Sequence, residues 1–124
     1  MKSNGKILLV EDDSFLIQMY SAKLELEGFK VISASDGEKA LRVVSKEKPD
    51  LILLDLLLPK LNGLDFLKKL REDKLEIPVM VLSNLSQKED IERCLALGVK
   101  AYLIKAHFVP SEVVTKIKEI LEEY

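Results

Sequence analysis

The stretch Leu51-Ile52-Leu53-Leu54-Asp55-Leu56-Leu57-Leu58-Pro59 sets a single carboxylate inside an apolar run that proline closes. Removing an ionised carboxylate from water without partners costs several kcal/mol or more, or raises its pKa until it neutralises. The plainer reading is that Asp55 only ends a buried strand and begins a turn. The stronger reading is that a charge so expensive to keep is there to be used. The residues around it decide between the two.

On both sides of this stretch, short apolar runs alternate with amphipathic ones, five times along the chain. Ile7-Leu8-Leu9-Val10 reads as a first strand. A helix over 14–27 follows, with Leu16, Met19, Tyr20 and Leu24 on one stripe and Gly28 as its stop. A strand over 31–34 leads to a helix that Asp36 caps, with Ala40, Leu41 and Val44 inward. The central run supplies the third strand, 50–54. A loop over 55–62 then precedes a helix with Leu64, Leu67 and Leu70 inward. Val79-Met80-Val81-Leu82 is the fourth strand. The next helix is expected to begin at Ser86, bury Ile91, Cys94 and Leu95, and stop at Gly98. The fifth strand spans 101–104, and Pro110 suits the first turn of the last helix. That helix turns Val113, Val114, Ile117, Ile120 and Leu121 inward.

Near-continuous apolar strands imply burial on both faces. Strand–helix alternation implies right-handed crossovers and a parallel sheet. The expectation is an α/β protein: a three-layer, doubly wound sheet of five parallel strands with five helices. The 124 residues fit one domain, 1–124, with no linker or repeat.

Composition narrows the function. Nineteen basic and 21 acidic residues give a net charge of −2, which offers no electrostatic footprint for nucleic acid. No stretch approaches the roughly 20 apolar residues that span a bilayer. The segment before the first strand is too brief for a signal peptide. One cysteine, Cys94, excludes an intrachain disulfide framework. A cytoplasmic protein is the simplest expectation. Cys94 reads as a small core residue rather than a redox sensor.

Ligands of open parallel sheets bind beyond the carboxyl ends of the strands. Glu11, Asp12 and Asp13 follow the first strand, Asp55 the third, Ser83-Asn84 the fourth and Lys105 the fifth. Converging carboxylates repel, and a hard divalent cation relieves them. Magnesium takes oxygen ligands and typically uses one or two carboxylates plus phosphate oxygen. Alternatively, Glu11 to Asp13 form no more than a charged turn and helix start. A cation beside a carboxylate, an amine and a hydroxyl is equipment for phosphoryl transfer, with an aspartate as nucleophile. In that scheme Asp55 attacks, the metal and Lys105 neutralise charge, and Ser83 donates a hydrogen bond.

These residues resemble the receiver domain of bacterial two-component response regulators, of the chemotaxis-regulator type. The resemblance covers 6–121 and rests on Leu8-Leu9-Val10-Glu11-Asp12-Asp13, Asp55-Leu56-Leu57-Leu58-Pro59, Asn62-Gly63, Val81-Leu82-Ser83 and Tyr102-Leu103-Ile104-Lys105. It implies a flavodoxin-like fold with strand order 2-1-3-4-5. It implies Asp55 as phosphoacceptor, with Ser83 and Lys105 as the catalytic hydroxyl and amine. The magnesium ligands would be Asp12 directly, Glu11 through water, Asp55, and the backbone carbonyl of Leu57. Ser83 and Tyr102 would be the switch pair, altering the surface of the fourth helix, fifth strand and fifth helix. The implied donor is a histidine kinase or histidine phosphotransfer protein. Further implications are an unidentified downstream protein partner, no direct nucleic acid or membrane contact, and a monomer or weak phosphorylation-dependent dimer. Such a protein modifies itself and turns over no external metabolite, so it is not expected to be an enzyme in the usual sense.

Two departures stand out. The family usually has proline after the lysine, whereas Ala106 follows Lys105 here. The Gly98-Val99-Lys100-Ala101 segment lacks the acidic pair that many DNA-binding members carry. No effector domain follows the fifth helix, which suits a stand-alone receiver or a fragment equally. Leu57 and Leu85 are expected to flank the site and restrict water. His107 reads as a loop residue. Two other readings compete: a phosphorylation-independent interaction scaffold, and a flavin-binding electron carrier, whose flavin phosphate Glu11 to Asp13 would repel.

Overall fold

The computed structural model describes residues 4–122; residues 1–3 and the last two residues of the expected 1–124 domain lie outside it. The strands are β1 (Lys6–Val10), β2 (Lys30–Ala34), β3 (Leu51–Leu54), β4 (Val79–Ser83) and β5 (Ala101–Ile104). The helices are α1 (Ser14–Leu26), α2 (Gly37–Glu47), α3 (Gly63–Glu72), α4 (Lys88–Ala96) and α5 (Pro110–Glu122). A short 3-10 turn, Lys105–His107, joins β5 to α5. The strands form one sheet in the order β2-β1-β3-β4-β5, with each neighbouring pair parallel. The expected architecture and strand order are therefore those found.

The apolar runs pack as two cores because successive strand residues point to opposite faces. Leu8, Val10, Ile52, Leu54, Val79 and Val81 meet Ala40, Val44, Phe66, Leu67, Leu70 and Cys94 of α2, α3 and α4. Ile7, Leu9, Leu51, Leu53, Met80 and Leu82 meet Tyr20, Leu24, Val113, Val114, Ile117 and Ile120 of α1 and α5. Burying one such side chain stabilises the fold by about 1.5–3 kcal/mol. β1, β3 and β4 are covered on both faces. β2 and β5 are the sheet's edges, and most of their residues are only partly buried.

The termini of the helices follow capping chemistry. Asp13, Asp36 and Asn62 accept from the backbone N–H three residues on, at 3.1, 2.8 and 2.9 Å. α1 ends at Leu26 rather than Glu27, and Gly28 follows with φ +90°, a conformation that favours glycine.

Two expectations about helices need correcting. α4 begins at Lys88 with Gln87 as its N-cap, so Ser86 belongs to the preceding loop. Leu95 is 53% exposed rather than inward, and Cys94 is the buried residue of that short helix. A helix of nine residues against an edge strand offers only a narrow buried stripe. Phe66, absent from the expected stripe of α3, is fully buried there. Substituting Phe66→Ala should cost about 3–5 kcal/mol. Leu95→Ala should stay within about 0.5 kcal/mol; urea denaturation of both variants checks the contrast.

Candidate functional site

β1, β3, β4 and β5 end side by side, and their carboxyl ends carry the charged groups. Backbone pairing runs one residue past the sheet: Glu11 N–H donates to Ala34 O at 3.1 Å, and Asp55 N–H to Val10 O at 3.0 Å. These bonds bring Glu11 and Asp55 to adjacent positions on one edge. Both are buried, at 4% and 6% exposed. Gly63 braces the second of them, because a Cβ there would lie 2.5 Å from Asp55 O and from Leu56 Cα. Only glycine lets α3 begin so close to the backbone of Asp55.

The Lys105 ammonium lies between the two carboxylates, 2.7 Å from Glu11 Oε2 and 2.8 Å from Asp55 Oδ2. Asp55 Oδ1 accepts the Leu57 N–H at 3.2 Å, and Glu11 Oε1 accepts the Asp13 N–H at 3.2 Å. Asp12 is exposed, and its carboxylate completes a cluster. One oxygen each from Glu11, Asp12 and Asp55 lies within 4.8 Å of the others. The structure thus brings Glu11, Asp12 and Asp55 together, and Asp13 lies outside that cluster. The Asp13 side chain caps α1.

Burial pushes the Glu11 carboxyl above its usual range, and the nearby Asp55 charge adds to this, against the lowering effect of Lys105. Burial alone would lower the Lys105 pKa, but its hydrogen bonds to Asp55 and Glu11 outweigh that and raise it. Hard oxygen donors, mutual repulsion and an exposed third carboxylate suit a small divalent cation.

Ser83 ends β4 and is fully buried. Its Oγ accepts the Leu85 N–H at 3.3 Å. Tyr102 of β5 is half-buried against the core of α2, α3 and α4, and its hydroxyl donates to the Leu85 carbonyl. Burial raises its pKa to about 12, which keeps it a donor. Leu85 thus joins the two expected switch residues through its backbone. Sequence reading saw only its apolar side chain, since nothing in residue type reports a backbone contact. Leu57 is 55% exposed and Leu85 half-buried. The Lys105–Ala106 peptide is trans, and Lys105 reaches both carboxylates with Ala106 after it. His107 lies exposed in the following turn. Cys94 is buried in the core of α2, α3 and α4, and burial raises its thiol pKa to about 11.

The model of the response regulator receiver domain matches residues 7–118 of this chain. The chain belongs to the response regulator receiver domain family. Among relatives, the alkaline phosphatase synthesis transcriptional regulatory protein PhoP of Bacillus subtilis is 43% identical over 118 residues. That match covers 95% of this chain and 49% of PhoP. The transcriptional regulatory protein CpxR of Escherichia coli is 44% identical over 117 residues, covering 94% and 49%. The receiver domain thus spans about half the length of the curated relatives it matches. The Francisella response regulator 1452 receiver domain superposes with TM-score 0.89 at 32% identity, covering 97% of this chain and 98% of that one. A CheY-like receiver domain protein of Methanospirillum hungatei gives TM-score 0.90 at 29% identity, covering 95% and 94%. Among the described residues, no helix is long and apolar enough to cross a membrane.

The Lys105 pairs make the site pH-sensitive from the alkaline side. A lysine whose folded pKa lies above its unfolded value of 10.5 stabilises fully below that value, and the contribution is lost as pH rises through the folded pKa. Lys105→Met should cost on the order of 3 kcal/mol near neutrality, because it leaves two buried carboxylates unpaired. The gap from wild type should close as pH rises past 10.5. Denaturant titrations of both proteins at neutral and alkaline pH check this.

Proposed function

We propose that Asp55 is the phosphoacceptor of a magnesium-dependent receiver. In this reading it takes a phosphoryl group from a histidine kinase or a histidine phosphotransfer protein. The observation that carries the reading is the Lys105 ammonium held between the Asp55 and Glu11 carboxylates with Asp12 alongside. A carboxylate oxygen of Asp55 forms the new P–O bond while the P–N bond to the donor histidine breaks, and the leaving imidazole keeps the electron pair. Lys105 stays within reach of the phosphoryl oxygens and offsets their charge. Glu11, Asp12, Asp55 and the Leu57 carbonyl would hold magnesium, which supplies further charge neutralisation when bound. The Leu57 N–H holds one carboxylate oxygen of Asp55, and α3 packs close on its backbone at Gly63. The protein acts on itself alone, which makes it a signalling switch rather than an enzyme with a metabolite substrate.

Output in this reading follows from a population shift. The phosphoryl group gives Ser83 a new acceptor. Movement of Ser83 disturbs the Leu85 N–H it now holds, and Leu85 carries the change to Tyr102. The surface of α4, β5 and α5 then favours a different, unidentified protein partner. A cytoplasmic location, a single 1–124 domain, and a monomeric or weakly dimeric state belong to this proposal. The flavin-carrier alternative lacks support, since carboxylates occupy the place where a flavin phosphate would need donors.

Intact mass after treatment with magnesium and acetyl phosphate tests the assignment. Wild type should gain one phosphoryl group and Asp55→Asn none; equal uptake by both would leave Asp55 without its role, and no uptake by wild type would favour a phosphorylation-independent scaffold. The lifetime of the adduct offers a second check. In this reading the apolar side chains of Leu57 and Leu85, two residues beyond Asp55 and Ser83, restrict attacking water, so replacing both with polar residues should speed hydrolysis several-fold. An unchanged rate in the double variant would remove the water-excluding role.

A further inference from the structure

The residues that follow Ser83 and Lys105 are joined beyond the end of the sheet. In the β4–β5 ladder Leu82 pairs with Leu103 and Ser83 with Ile104. The strands stop there, yet one more link follows. The Asn84 side chain accepts the Ala106 N–H through Oδ1 at 3.0 Å. An asparagine side chain thus does the work of the next ladder bond. It ties the residue after Ser83 to the residue after Lys105.

The link exists only because residue 106 has an N–H to give. Proline has none, and the ring that would otherwise stiffen this turn is absent. Within the turn, the Phe108 N–H bond to Lys105 O is long, at 3.4 Å. Both partners of the Asn84–Ala106 bond are exposed, so it adds little to global stability. Its consequence is local. Lys105 Nζ must reach Glu11 and Asp55 from a strand separated from β3 by β4. A loose backbone at 105–106 would spread that ammonium over many positions.

We infer that Asn84 is a positioning residue. It holds the β5–α5 turn against the β4–α4 loop so that Lys105 is presented to Asp55, and it makes the two loops move together when Ser83 moves. The functional half of this inference rests on Asp55 being the phosphoacceptor. The structural half does not.

Two measurements test it. Amide exchange at Ala106 is followed by NMR, and phosphoryl uptake from acetyl phosphate with saturating magnesium is followed by intact mass. Asn84→Ala should speed Ala106 exchange and slow uptake by about fivefold each, the weight of one ordinary hydrogen bond, with the melting temperature unchanged. Asn84→Asp keeps an acceptor oxygen in place and should restore both to within about twofold. In an Ala106→Pro background the donor is already gone, so adding Asn84→Ala should change uptake less than about twofold. Unchanged Ala106 exchange in Asn84→Ala would overturn the link. Equal slowing of uptake in both backgrounds would overturn its role in positioning Lys105. If wild type takes up no phosphoryl group, the phosphoacceptor reading fails instead, and Ala106 exchange still decides whether the link exists.

Discussion

One ammonium between two buried carboxylates is the constraint on which the edge of this sheet depends. Glu11 and Asp55 sit at the ends of neighbouring strands, both nearly shielded from water. Two negative charges there repel, and neither can be solvated freely. Lys105 reaches across β4 to both. Such a cluster is a poor source of stability, because desolvation consumes most of the Coulombic gain. Apolar residues of similar volume would serve the fold at least as well. Its retention is explained by what remains after pairing. Three carboxylates face one ammonium, which leaves negative charge in a shape that suits a hard cation.

The scaffold makes this arrangement possible by spending regular structure close to the site. Pairing of β1 with β2 and of β3 with β1 continues one residue beyond each strand, and those extra bonds carry Glu11 and Asp55. α3 starts directly on the Asp55 backbone at Gly63. The charged groups therefore belong to rigid strand ends. The segments that follow β4 and β5 are a loop over 84–87 and a short 3-10 turn leading into 108–109. In the proposed reading, a rigidly held Asp55 beside segments that share few bonds lets a local charge change alter a surface. Leu85, between Ser83 and Tyr102, is where those few bonds meet.

The fold was legible because its signal repeats. Ile7 to Val10, Leu51 to Leu54 and Val79 to Leu82 have no polar face, which only a sheet covered on both sides accommodates. Gly28 and Asp36 punctuate helices by local backbone chemistry. Leu95 was misread since a stripe on a short helix is uncertain by one residue, about 100° of rotation. The neighbour that decides it lies far along the chain. Asp13 caps α1. Three acids in a row carry no sign of which one turns back to cap its own helix.

The chain by itself determined the alternation of strands and helices, the identity of the acids, the hydroxyl and the amine, and their places at strand ends. Those follow from local pattern, which burial and backbone geometry impose within a few residues. Only the tertiary structure decided which groups touch. Lys105 pairs with residues 94 and 50 positions away, Tyr102 with Leu85, and Ala106 with Asn84. Such contacts depend on distances of a few tenths of an ångström between distant segments, and packing rather than local pattern sets those distances.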